Sequence, residues 1–129
     1  MLRAAVLCAF GAALAMGDGA CTDDADMKIW DSKGKADFKS DLSSCATKCF
    51  GDGACVTSCM KTAEGYSDSC SKCFGDVASC TKDHCLLKCI KGQTPACKEC
   101  VDEYCTPALQ SCSGLTPPSG AIMELVINV

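Results

Sequence analysis

The segment Cys45-Ala-Thr-Lys-Cys49-Phe-Gly-Asp-Gly-Ala-Cys55-Val-Thr-Ser-Cys59 constrains the chain more than any other stretch, because it places two Cys-x3-Cys pairs on either side of a turn. Residues four apart lie one above the other on a helix, so each pair lines one face of its own helix. Gly51 suits the left-handed position that ends a helix, and Asp52 is a strong N-cap for the next one. Across a tight antiparallel hairpin, facing positions have numbers with a constant total. This predicts Cys49–Cys55 as the inner disulfide and Cys45–Cys59 as the outer one.

The compartment follows from the N-terminus and the cysteine count. Residues 1–17 read as a secretory signal: Arg3 is a minimal positive start, an apolar run covers Ala4 to Met16, and Ala15 and Gly17 suit cleavage before Asp18. Cleavage after Ala20 is the competing site. The run is too short to span a bilayer, which takes roughly 20 residues. Cys8 leaves with the signal, so 14 of the 15 cysteines remain, an even number that fits an oxidised extracellular scaffold. Between Cys21 and Cys112 only 12 residues are Leu, Ile, Val or Phe. So small an apolar supply offsets only part of the ordering entropy, and disulfides at about 2–4 kcal/mol each are expected to make up the difference.

Past Gly17 there are 11 Lys and no Arg against 16 Asp plus Glu, a net charge of −5. An acidic chain of this kind argues against nucleic acid as a partner and against a cationic membrane-lytic peptide. Residues 18–26 read as a solvated acidic lead, since Asp23, Asp24 and Asp26 lack calcium-loop spacing. Trp30, the only Trp, reads as a packing residue beside Ile29.

From Ala36 the pattern turns helical, with Phe38, Leu42, Cys45 and Cys49 on one face. A second helix is predicted over about 53–64, ending at Gly65. A repeat of Cys-Phe-Gly-Asp at 73–76 predicts another helix end and restart, giving helices over about 67–74 and 77–91. The latter directs Val77, Cys80, Cys85, Leu86, Cys89 and Ile90 inward. Thr94-Pro95 and Thr106-Pro107 each combine an N-cap with proline at the first helical position, giving helices over about 95–105 and 107–112. Three imperfect four-cysteine blocks start at Cys45, Cys70 and Cys97. The expected architecture is all-α: a small disulfide-rich array of short antiparallel helical hairpins over 18–112. Residues 113–129 form a linker and an apolar tail that either docks as a strand or lies loose.

Beyond the first hairpin two pairing schemes compete. Strict repeats would join Cys70–Cys85, Cys73–Cys80, Cys97–Cys112 and Cys100–Cys105, leaving Cys21 with Cys89. A second hairpin turning at 91–95 would instead give Cys89–Cys97 inside Cys85–Cys100, with Cys73–Cys80, Cys105–Cys112 and Cys21–Cys70. The second scheme is preferred, because Cys100 and Cys105 on one continuous helix point about 140° apart and cannot bridge.

Cys70/Cys73 and Cys97/Cys100 have zinc-ligand spacing, but among so many cysteines behind a secretory signal they read as disulfide partners. No metal and no cofactor is expected. His84, the only histidine, reads as an exposed helix residue. Secreted phospholipase A2 carries its catalytic His on a cysteine-bearing helix, but neither that family's Cys-Cys-x-x-His-x-x-Cys motif nor its calcium loop occurs here. No nucleophile, base and orienter set is visible, so no enzyme is expected.

The paired Cys-x3-Cys hairpin resembles the α-hairpinins, small plant peptides that include protease inhibitors. That resemblance implies a disulfide-braced inhibitory loop. The first hairpin's loop has no basic residue, and only the loop between Cys89 and Cys97 presents one, as Lys91-Gly92. The wider pattern, Ile29-Trp30-Asp31, the hairpin, Gly65-Tyr66, Cys70-Ser-Lys-Cys73-Phe-Gly, Cys80-Thr-Lys-Asp-His-Cys85, Cys105-Thr-Pro-Ala and Cys112-Ser-Gly, resembles uncharacterised secreted cysteine-rich proteins of single-celled eukaryotes such as algae. That resemblance implies secretion and no particular activity. The expectation is a secreted, non-catalytic structural or interaction module for an extracellular protein partner, with protease inhibition through Lys91 as the alternative.

Overall fold

The computed structural model describes residues 19–123, and the leader at 1–17 and the end of the tail lie outside the described residues. Among these residues six α-helical segments join into four rods: α1 (Asp24–Ile29), α2 (Lys35–Cys49), α3 (Gly53–Glu64), α4 (Asp68–Cys89), α5 (Pro95–Cys100) and α6 (Thr106–Ser113). A π-helical stretch, Trp30–Gly34, fuses α1 to α2, and a second, Val101–Cys105, fuses α5 to α6. Among the described residues there is no strand, and the fold is all-α and disulfide-rich.

Seven disulfides hold it. Cys45–Cys59 and Cys49–Cys55 clasp α2 to α3 in the predicted nesting, and Cys85–Cys100 and Cys89–Cys97 clasp α4 to α5. Cys21–Cys70 ties the N-terminal lead to the start of α4. The expected pairs Cys73–Cys80 and Cys105–Cys112 are corrected to Cys73–Cys112 and Cys80–Cys105. The reason is helical geometry. Two cysteines seven apart on one rod share a face but stand about 10.5 Å apart along its axis, beyond disulfide reach. They bond instead to the rod opposite.

That error traces to the second Cys-Phe-Gly-Asp. At the first copy the chain does break: Phe50 takes a left-handed conformation, Gly51 follows with φ 76°, and the Asp52 carboxylate accepts from the Cys55 N–H at 2.9 Å. At the second copy the helix runs straight through, and Phe74 is buried. Gly75 serves the packing there. A Cβ on it would stand 1.8 Å from Thr57 Oγ1 and 2.4 Å from the Gly53 carbonyl of α3, so its missing side chain lets α3 and α4 touch. The restart expected at Thr106 is likewise absent. The π turn widens the backbone just before Pro107, whose ring would clash with the carbonyl four residues back in a regular helix.

An edge-to-face aromatic chain joins the two hairpins: Trp30–Phe38, Phe38–Phe74 and Phe74–Tyr66, with centroids 5.2–5.4 Å apart. Trp30 is thus a core residue. The acidic lead is corrected in part. Asp23 N-caps α1 by accepting from the Asp26 N–H at 2.8 Å, and Asp26 is buried, accepting from the Ser67 N–H at 2.8 Å and from the Ser67 hydroxyl. The Ser67 hydroxyl oxygen in turn accepts from the Cys70 N–H, so a buried carboxylate braces the positive end of α4. The core also extends past Cys112: Leu115, Ala121 and Ile122 are buried, and a 3-10 turn, Ala121–Met123, docks on α2 and α4. The tail therefore neither pairs as a strand nor lies loose up to that point.

Candidate interaction surface

Among the described residues four large side chains that could have joined the core stand in solvent: Phe50 at 73% exposure, Leu87 at 84%, Ile90 at 71% and Tyr104 at 49%. Ile90, expected inward, is the correction among them. It follows the last residue of α4, where Cys89 takes the inner position through its bond to Cys97 and the chain turns outward to Gly92. His84 and Leu87, three apart on α4, lie on one face, and Ile90 follows three residues further on at the helix's C-terminal cap. Each exposed apolar residue adjoins or lies two residues from a bonded cysteine, so its backbone is covalently held.

Phe50 is the only non-glycine with positive φ among the described residues. A left-handed conformation costs such a residue roughly 1–2 kcal/mol. The strain persists because the Cys49–Cys55 bond and the Asp52 cap fix both sides of the turn.

His84 is exposed, as expected, and it stacks on Tyr104 with centroids 5.1 Å apart and planes 8° from parallel. The pair lies beside a cleft of about 400 Å³ between α4 and the last rod, bordered by Asp83, Glu99, Glu103 and Lys88. On the stripe next to it Lys98 and Asp102 form an ion pair. Among the described residues no ion pair engages Asp83, Glu99 or Glu103.

Lys91 is exposed inside the loop closed by Cys89–Cys97, but that loop is tightly wound. The Gly92 N–H donates to the Cys89 carbonyl at 2.9 Å, and the Thr94 N–H donates to the Gly92 carbonyl at 2.9 Å. Proteases and other strand-reading partners engage extended backbone. Of the zinc-spaced cysteines, Cys70 bonds Cys21, Cys73 bonds Cys112, Cys97 bonds Cys89 and Cys100 bonds Cys85. None is left as a thiolate ligand.

A second groove, of about 410 Å³, runs along the α2–α3 disulfides, with Asp41 at its wall. Burial, then the neighbouring Glu64 carboxylate to which its protonated form donates, pushes the Asp41 carboxyl up to about 6. Burial would also raise Glu64. The Lys33 ammonium, 2.8 Å from its carboxylate, outweighs that and holds Glu64 below its ordinary value.

No pattern in the sequence marks Phe50 or Tyr104 as surface residues. Leu87 was the one legible exception, since Leu86-Leu87 cannot both face inward on one helix. The chain matches no known family model, no curated protein and no solved structure.

Proposed function

We propose that the protein is a secreted, disulfide-stapled module that acts by binding another extracellular protein and performs no catalysis. The observation that carries this reading is the pair Leu87 and Ile90, exposed on a helix end clamped by Cys85–Cys100 and Cys89–Cys97. Apolar side chains on a backbone that cannot rearrange lose little entropy on docking, which is the preorganisation a binding surface needs. Seven disulfides support an oxidising compartment, and among the described residues no helix is long and apolar enough to cross a membrane. Gly19 and Ala20 are built into the domain, with the Ala20 N–H donating to the Cys112 carbonyl at 2.8 Å. That supports signal cleavage before Asp18 over cleavage after Ala20. N-terminal sequencing of the secreted protein should read from Asp18, and a start at Cys21 would reverse the choice.

The test of the binding reading is photo-cross-linking of the oxidised chain in its native extracellular fluid, with Leu87→Ser/Ile90→Ser as control. A discrete adduct formed by the wild type and lost in the control is expected. Absence of any adduct would sink the reading. Titration against a trypsin-like protease addresses the alternative: stoichiometric inhibition abolished by Lys91→Ala would replace binding with inhibition, and the wound Cys89–Thr94 backbone argues for no inhibition.

A further inference from the structure

The two stripes of the last rod are treated differently. Lys98 and Asp102 neutralise each other, while Glu99 and Glu103, one position along, stand as like charges in one cleft with Asp83 facing them from α4. Repulsion of this kind disfavours the free protein. Among the described residues Lys88 is the only lysine or arginine lining the cleft, against the three carboxylates of Asp83, Glu99 and Glu103. Its walls cannot spread to relieve the repulsion: Cys85–Cys100 and Cys80–Cys105 fasten α4 to the opposite rod beside His84, Glu99 and Tyr104. The cleft also contains a flat half-exposed aromatic ring, Tyr104, whose stacking on His84 fixes its plane.

From these features we infer that the cleft docks an arginine side chain of the protein partner, with aliphatic residues flanking that arginine resting on Leu87 and Ile90. This rests on the binding reading above and deepens it. A guanidinium is planar, stacks on an aromatic face and donates paired hydrogen bonds to carboxylates. Tyr104 supplies the face, and Glu99, Glu103 and Asp83 supply the acceptors. An ammonium is a strongly hydrated point charge and gains less from the ring. Charge complementarity also disfavours an anionic lipid surface.

The probe is a blocked pentapeptide with a central arginine flanked by leucines, titrated to millimolar concentration into the isotope-labelled, fully oxidised chain and followed by NMR. Saturable shifts centred on His84, Glu99, Glu103 and Tyr104 are expected. The lysine version should bind several-fold more weakly. The citrulline version, which keeps the shape and lacks the charge, should lose about tenfold or more. Glu99→Gln/Glu103→Gln should lose a similar factor with spectral dispersion elsewhere unchanged, and Tyr104→Leu should abolish the preference for arginine over lysine. Equal binding of the citrulline peptide, shifts centred on the 45–59 groove, or no saturation would overturn the proposal. So would the same shifts appearing with protein concentration alone, which would assign the cleft to a second copy, or with phosphatidylcholine vesicles, which would assign it to lipid. Loss of arginine recognition while the cross-linked adduct still depends on Leu87 and Ile90 would refute this inference alone. Loss of both would refute the binding reading as well.

Discussion

Tyr66 shows how closely single atoms are fitted. Its ring is buried, its hydroxyl has no hydrogen-bond partner among the described residues, and a Cβ on Gly34 would stand 2.0 Å from that oxygen. Burial first, then the carboxylates of Glu64, Asp41 and Asp26, pushes its phenol well above the ordinary value. An unpartnered buried hydroxyl contributes little, so Tyr66→Phe should leave stability unchanged or raise it by up to about 1 kcal/mol. Gly34→Ala should cost about 1–3 kcal/mol through overpacking, and Tyr66→Phe should recover much of that cost in the double variant. Strictly additive melting shifts would refute the contact. Asp41 gives the pH counterpart. Its folded carboxyl titrates near 6 against an ordinary 3.8, so the folded state holds the proton more tightly, and this contribution is complete below about pH 3.8 and lost as pH rises through 6. Asp41→Asn cannot titrate. The wild type should therefore lose about 1 kcal/mol relative to that variant between pH 4 and 7, a figure reduced for solvent screening at a partly exposed site. Parallel stability profiles would remove the assignment. Glu64 works in the opposite sense, its ion pair with Lys33 stabilising above the ordinary carboxylate range and fading on acidification.

Among the elements, the helical faces and caps were open to sequence reading because they depend on neighbours three or four residues away. Asp52, Ser67 and Thr94 each accept from a backbone N–H three residues on, and Gly65 ends α3 with φ 88°. The two Cys-Phe-Gly-Asp copies mark the limit. Nothing local separates Gly51, which turns the chain, from Gly75, which lies in a helix. The difference is made by Thr57 and Gly53, brought against Gly75 only when α3 crosses α4. Alanine is favoured over glycine inside a helix by about 1 kcal/mol, so a helix propensity argument alone predicts that Gly75→Ala stabilises. The crossing predicts the reverse, a net loss of about 1–3 kcal/mol in thermal melts of the disulfide-intact protein. A raised melting temperature would show that the helices do not touch there. The candidate cleft was less legible than the fold for a related reason: the π turn at Val101–Cys105 resets the helical phase, so no regular period places Tyr104 opposite His84.

At the level of the whole molecule, the rule that orders the first hairpin also orders the second, once α4 is one helix. Cys73–Cys112, Cys80–Cys105, Cys85–Cys100 and Cys89–Cys97 have position totals of 185 or 186, a four-rung ladder along α4. The signal was present in the sequence and was hidden by the false break at Gly75. The first and last bonded cysteines are fastened to neighbouring points of that helix, Cys21 to Cys70 and Cys112 to Cys73. A tensile load applied just outside Cys21 and Cys112 therefore travels from Cys21 across one sulfur bridge, through Ser71 and Lys72, and across another bridge to Cys112. Residues 22–69 and 74–111 hang off this path as closed loops and carry none of the load. In single-molecule stretching from handles placed just outside Cys21 and Cys112, the oxidised protein should lengthen hardly at all. The reduced protein should pay out the 92 residues from Cys21 to Cys112, about 300 Å of contour. A long extension before reduction would contradict the connectivity. The helices along this path would keep their arrangement under forces that would unravel a domain stitched only by its core.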